Sequence, residues 1–260
     1  MQSRAERYDA FLLDLDGVLY RGGEQVPGAA EAVARLRELG KGIAFVTNNS
    51  ARTPRAVADA LVGAGVRADP TEVETSALTT ASLLAERGVD RVFVIGEEGI
   101  RSALAARDIV VVEDGRDAVQ AVVIGWDRAV DYEAFRTASL LVERGATLVA
   151  TNADASYPAS DGRWPGAGAL LAVVETTTGV AAEVVGKPNA PIFWAALERA
   201  GGGRPLVIGD RLDTDIAGAI SIGWDSLLVL TGITTKDDLG VASPTPTYVG
   251  DDLSALFAPA

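Results

Sequence analysis

Two aspartates two residues apart close an apolar run in "FLLDLDGVLY", residues 11–20. Phe11, Leu12, Leu13 and Leu15 suit a buried strand, but Asp14 and Asp16 are costly there unless paired or bound to a cation. Three other strand exits also carry polar groups: Thr47-Asn48-Asn49 in "VTNNS", Lys187 in "VVGKPNAP" and Asp210 in "VIGDRLDTD". In open α/β sheets, ligands bind beyond the carboxyl ends of the strands. If these strands are neighbours, several acids, a lysine and a hydroxyl converge on one crevice. Clustered carboxylates need a cation, and Mg²⁺ fits an all-oxygen set. A cation, a lysine and helix N-terminal amides together would hold a dianionic phosphate. One carboxylate facing the phosphorus could attack it and form an aspartyl-phosphate. A second, two residues on, leaves an extended chain on the same side; it could protonate the leaving oxygen and then activate water. Gly17 lets the backbone turn sharply beside the ligand.

Composition narrows the chemistry further. The 260 residues contain no cysteine and no histidine. That removes disulfides, a thiolate nucleophile, Cys-ligated metal and the usual base of a Ser-His triad. Acid–base work falls to carboxylates, Lys or Tyr, and a metal site would be built from oxygen ligands. The formal net charge of −13 repels nucleic acid and anionic membranes. No apolar run approaches the roughly 18 residues needed to span a bilayer. "MQSRAERYDA" lacks the apolar stretch of a signal peptide, so a cytoplasmic location is expected.

The elements that must position these groups alternate along the chain. "AFLLDL" reads as a strand, "GAAEAVARLRELG" as a helix with Gly40 at its C-cap, and "GIAFVTNNS" as a strand with its exit loop. "TPRAVADALVGAG" starts a helix with Thr53 as N-cap and Pro54 in its first turn. "PLVIGD" and "SLLVL" are strands flanking a helical "TDIAGAISIG", with Asp213 as the helix N-cap. Between them lie four more strand candidates, "RVFVIG", "DIVVVE", "QAVVIGW" and "ATLVATN". Alternation of this kind implies an α/β fold with parallel sheet covered on both faces.

"DLDGVLY", "VTNNS", "GKP" and "GDRLDTD", in that order, resemble the four motifs of the haloacid dehalogenase (HAD) superfamily. The long stretch between the second motif and the lysine resembles the larger, C2-type α/β cap of its 4-nitrophenylphosphatase/phosphoglycolate phosphatase-like branch. The resemblance implies a Rossmann-like core over 1–78 and 184–260, with an inserted cap over 79–183. It implies a Mg²⁺-dependent phosphatase acting on a small phosphate monoester. Asp14 would be the nucleophile and a metal ligand. Asp16 would be the general acid/base, with its carbonyl on the metal. Thr47 and the backbone of Asn48 would bind the phosphoryl group, and Lys187 would neutralise the nucleophile and the phosphate. Asp210 would ligate the metal directly and Asp215 would support it from behind. Dehalogenases of the superfamily lack the second Asp, so Asp16 favours phosphoester hydrolysis. "GDRLDTDIAGA", "SLLVLTG" and "PTPTYVGDDL" resemble the actinobacterial glycerol-3-phosphate phosphatases of this branch. Glycerol 3-phosphate is therefore the first expected substrate, with phosphoglycolate, a nucleoside monophosphate and pyridoxal phosphate open. Some of those relatives carry an added C-terminal domain, whereas this chain stops at Ala260. A homodimer through the cap is a further expectation.

Other features bear on these expectations. "GKP" is no Walker A motif, since neither Ser nor Thr follows the lysine, and "GAGALL" lacks the third glycine of a dinucleotide fingerprint. "LVATNAD" imitates "FVTNNS"; chain order places Thr47 in the core and Thr151-Asn152 in the cap. The resemblance makes Asn152 and Asp154 candidates for substrate specificity, with loop capping as the alternative. Ala167 stands where relatives commonly have asparagine. Trp126 and Trp164 either wall the pocket or pack within the fold. A phospho-metabolite sensor or a receiver-type phosphoacceptor is the non-enzymatic alternative. Asp16 argues against both, since neither needs an acid/base beside the acceptor.

Overall fold

The computed structural model describes residues 2–159, 161–240 and 244–259. The chain divides into two compact units, one of Met1–Thr47, Pro54–Glu74 and Lys187–Ala260, the other of Asn48–Thr53 and Thr75–Gly186.

The first unit is built on a sheet whose described strands run in the order Tyr248–Gly250, Asp225–Val229, Pro205–Gly209, Ala10–Leu13, Gly42–Thr47, Val73–Thr75. Ala10–Leu13 is buried throughout, and its side chains alternate between two cores. Phe11 and Leu13 pack with Val33 and Leu36 of the helix Ala29–Glu38 and with Leu61 of the helix Pro54–Gly63. Ala10 and Leu12 pack with Ile192, Phe193 and Ala196 of the helix Ala190–Arg199. A strand covered on both faces reads as a continuous apolar run, which is why "AFLL" shows no polar alternation. Helix Ala29–Glu38 ends where Gly40 takes φ +67°, a left-handed conformation that glycine adopts without strain.

Register brings the strand exits to one edge. Leu13 lies level with Ile208 on one side and Phe45 on the other, all parallel. Asp14, Asp210 and Thr47 therefore leave the sheet from the same end. The strand order reverses between Ala10–Leu13 and Pro205–Gly209, the position at which open α/β sheets bind ligands.

The second unit has its own parallel sheet, in the order Glu183–Val184, Thr147–Ala150, Ala121–Ile124, Arg91–Ile95, Val110–Val112. Helices Ser76–Glu86 and Glu98–Ala105 pack on one face, and Tyr132–Glu143 and Ala167–Thr178 on the other. An antiparallel hairpin, Ser156–Ala159 with Gly162–Pro165, precedes the last of these helices. Among the described residues no helix is long and apolar enough to cross a membrane.

The unit boundaries differ from the expected 79 and 183. Thr75 Oγ accepts a hydrogen bond from the Leu78 N–H and so caps a helix starting at Ser76. Ala77, Ala81 and Leu84 of that helix belong to the second core. At the far end, Glu183–Val184 pairs with Thr147–Ala150 and carries the unit on to Gly186. The short segment Asn48–Thr53 also belongs to the second unit.

Candidate active site

Lys187 is the centre of the site in the first unit. Its side chain is 4% exposed, and its ammonium bonds Asp14 Oδ1 at 2.5 Å and Asp215 Oδ1 at 2.7 Å. It also donates to the Val46 carbonyl at 3.4 Å, at the end of the strand that supplies Thr47. Thr47 itself is buried. Asp210, at the exit of Pro205–Gly209, accepts the Ile233 N–H on Oδ2 at 2.6 Å. One carboxylate oxygen from each of Asp14, Asp210 and Asp215 lies within 4.8 Å of the other two. Asp16 sits in the turn after the first strand, where its backbone bridges to Tyr20 and the Gly17 N–H bonds the Tyr20 carbonyl.

Three glycines make room for this packing. Gly17 holds φ +85°, and a Cβ there would sit 2.5 Å from Asp210 Oδ2. A Cβ on Gly232 would overlap the same carboxylate, and one on Gly209 would overlap Asp215. Asp215 lies in a π-helical turn, Leu212–Ile216, that precedes the helix Ala217–Ser221. The expected N-cap, Asp213, is inside that turn. The capping position is Arg211, whose guanidinium bonds both oxygens of Asp213 at 3.0 and 2.7 Å.

The electrostatics ask for a cation. Burial first, and repulsion from Asp215 second, push the Asp210 carboxyl up to about 6. Burial also pushes Asp14 up, against the pull of Lys187. Lys187 is raised, because its two carboxylate partners outweigh the cost of its burial. Three carboxylates facing one ammonium leave a surplus of two negative charges if all ionise. Asp210 Oδ1 is buried with no hydrogen-bond partner among the described residues. An all-oxygen set, a surplus of two negative charges and an orphaned buried oxygen fit a hard divalent cation such as Mg²⁺. Asp215 is already committed through Lys187 and the Arg211 N–H, which suits support from behind.

The remaining expected residues meet in the second unit. Asn48 donates through Nδ2 to Asp154 Oδ2 at 3.1 Å. Asn152 is 3% exposed; its Nδ2 donates to the Asn48 carbonyl at 2.7 Å, and its Oδ1 accepts the Asp154 N–H at 3.0 Å. Its carboxamide is thus engaged inside the fold. Trp126 is buried, stacks on Tyr157 with centroids 4.3 Å apart and donates to the Pro165 carbonyl. Trp164 is 39% exposed on the hairpin and donates to Asp161. Ala167 packs with Ala51 and Trp126. Ser50 and Ser76, which also contact this cluster, have no signature in the sequence beyond hydroxyls beside apolar runs.

The chain also matches known families and solved structures. The profile of the haloacid dehalogenase-like hydrolases matches residues 11–110, and a HAD-hydrolase-like profile matches 184–256. An acid sugar phosphatase of Staphylococcus saprophyticus is 40% identical over 255 residues, 97% of this chain and 98% of that protein. The crystal structure of a glycerol phosphate phosphatase from Mycobacterium tuberculosis, in complex with magnesium, superposes with a TM-score of 0.94 at 37% identity. It covers 99% of this chain and 78% of that one. A 4-nitrophenylphosphatase from Thermotoga maritima superposes at 0.91 with 32% identity, covering 98% of each chain. With identity at this level running through both units, the chain belongs to the haloacid dehalogenase-like hydrolases.

Proposed function

We propose that this chain hydrolyses small phosphate monoesters with Mg²⁺, through an aspartyl-phosphate on Asp14. The observation that carries the reading is the buried Asp14–Lys187–Asp215 ion network beside Asp210, one oxygen of which has no hydrogen-bond partner among the described residues. Asp14 attacks phosphorus, and the bond from phosphorus to the ester oxygen breaks. Asp16 gives its proton to that oxygen, so the alcohol leaves neutral. Asp16, now a carboxylate, takes a proton from water as the water attacks phosphorus. The bond from Asp14 to phosphorus then breaks, releasing inorganic phosphate and restoring the carboxylate. Thr47 and the backbone of Asn48 hold the phosphoryl oxygens, and Lys187 keeps Asp14 oriented and offsets its charge. Mg²⁺, held by Asp14, Asp210 and the Asp16 carbonyl, would add positive charge where the phosphoryl oxygens gather.

Glycerol 3-phosphate is the first substrate to test, supported by the glycerol phosphate phosphatase that superposes over 99% of this chain. A sugar phosphate is the second reading, favoured by the acid sugar phosphatase at 40% identity. A panel of glycerol 3-phosphate, sugar phosphates, phosphoglycolate, a nucleoside monophosphate and pyridoxal phosphate, ranked by kcat/KM, separates them. Glycerol 3-phosphate should rank first; a sugar phosphate ten-fold above it would replace it. No phosphate release from any ester, 4-nitrophenyl phosphate included, would leave the sensor reading.

A further inference from the structure

The segment Asn48–Thr53 follows directly on Thr47, yet it folds with the second unit. It occupies the crevice at the carboxyl ends of that unit's central strands, between Arg91–Ile95 and Ala121–Ile124, where the strand order reverses. This is the place where an open α/β sheet ordinarily receives a ligand. Here the chain fills it. The Gly99 N–H, in the first turn of Glu98–Ala105, donates to the Ala51 carbonyl at 2.9 Å. The Trp126 N–H donates to Ser50 Oγ at 3.2 Å, and Thr151 Oγ lies 3.0 Å from the same hydroxyl. Ser50 and Thr151 are both fully buried. A Cβ on Gly99 would overlap the Ser50 carbonyl, and one on Gly125 would press on Ser50 Oγ at 2.8 Å.

The Asn48 carbonyl carries the consequence. It accepts two hydrogen bonds, from Ser76 Oγ at 2.7 Å and from Asn152 Nδ2 at 2.7 Å. A carbonyl has two lone pairs, so this one is saturated. The peptide plane from Asn48 to Asn49 is thereby fixed, and the Asn49 N–H must face the opposite way from the carbonyl, because the peptide is planar and trans. Asn48 Nδ2 is held separately by Asp154.

We propose that Ser76 and Asn152 are positioning residues of the phosphate site, acting through the Asn48 carbonyl, with Ser50 as the anchor of the segment. Asn152 then serves every substrate alike rather than choosing among leaving groups. The inference rests on the reading of Thr47 and the backbone of Asn48 as phosphoryl ligands.

The test compares Asn152→Ala, Ser76→Ala and their double variant with the wild-type protein, on 4-nitrophenyl phosphate and glycerol 3-phosphate, with inorganic phosphate as inhibitor. A positioning role predicts that KM and the phosphate inhibition constant rise together, roughly 3- to 10-fold for each single variant. The factor should be the same for both esters, because only the phosphoryl group is shared. The double variant should lose more than the product of the singles, since only then are both side-chain donors to the half-buried carbonyl gone. Gly99→Ala displaces the segment without touching either donor and should reproduce the pattern, with far-UV circular dichroism reporting an intact fold. A loss that differs between the esters while phosphate inhibition stays constant would overturn the proposal and assign Asn152 to the leaving group. Unchanged constants in the double variant would overturn it too. A wild-type protein inert towards every ester would instead remove the phosphatase reading, before any variant is compared.

Discussion

Lys187 bonds two of the three clustered carboxylates, and that imbalance governs what single substitutions do. Removing one member of a buried ion pair is ordinarily destabilising, because the other is left charged and alone. Here Asp14→Asn leaves Lys187 bound to Asp215 at 2.7 Å. It also removes one of three mutually repelling carboxylates, one that burial already disfavours as an anion. The expected outcome is a fall in kcat of at least about 10⁴-fold, the scale on which a lost nucleophile is felt. The Tm of the metal-free protein should be no lower than that of the wild type. Phosphate-release kinetics and a thermal melt in EDTA check the two halves. Both outcomes together would show a site that gives up stability for chemistry, a trade common where function requires like charges held close.

Individual elements were legible in the sequence to the extent that their determinants are local. Short apolar runs marked the strands Ala10–Leu13, Gly42–Thr47, Pro205–Gly209 and Asp225–Val229 because sheet buried on both faces leaves no polar positions. Four polar strand exits in one order marked the site. The π turn at Leu212–Ile216 was not legible, since "RLDTDIAGA" reads as an ordinary helix start. The turn is tied to contacts of Asp215 with Gly209 and Lys187. The docking of Asn48–Thr53 was equally hidden, because its partners Gly99, Trp126 and Asn152 lie far along the chain. The same holds for the joint between helix Glu98–Ala105 and the loop after Ala121–Ile124. Arg128 bonds both oxygens of Glu97 at 2.7 Å, and its N–H adds a third bond at 3.1 Å. Those bonds hold the Glu97 carboxyl below its usual 4.5. A depressed carboxylate contributes stability that is present above 4.5 and is lost as pH falls through the lower folded value. Arg128 is 58% exposed, so solvent screening limits the pair to about 0.5–1 kcal/mol. Glu97→Gln should therefore lower Tm at pH 7, and the difference from wild type should shrink as pH falls from 7 to below 4.5. Thermal melts of both proteins across that range measure it.

At the scale of the whole molecule, charge is the organising quantity. The chain carries a net −13, yet the acids that matter most are not on its surface: Asp210 and Asp215 are each 1% exposed. Surface acids are screened by salt, whereas a buried cluster is relieved only by a bound cation or by protonation. A cation that binds the folded chain and not the unfolded one stabilises it by mass action, about 2.7 kcal/mol at one hundred times its dissociation constant. For a chain of this size that corresponds to a rise of about 5–10 °C in Tm. Adding Mg²⁺ to the EDTA-treated protein should produce a rise of that order at constant ionic strength, while an equal ionic strength of Na⁺ should not. The shift should be largely absent in Asp210→Asn, which removes the charge of a carboxylate whose buried Oδ1 has no partner among the described residues. Differential scanning calorimetry with both salts, on both proteins, separates occupancy of the cluster from screening of the acidic surface. Equal shifts with Mg²⁺ in the wild type and in Asp210→Asn would place the cation elsewhere on the molecule and detach it from Asp14 and Lys187.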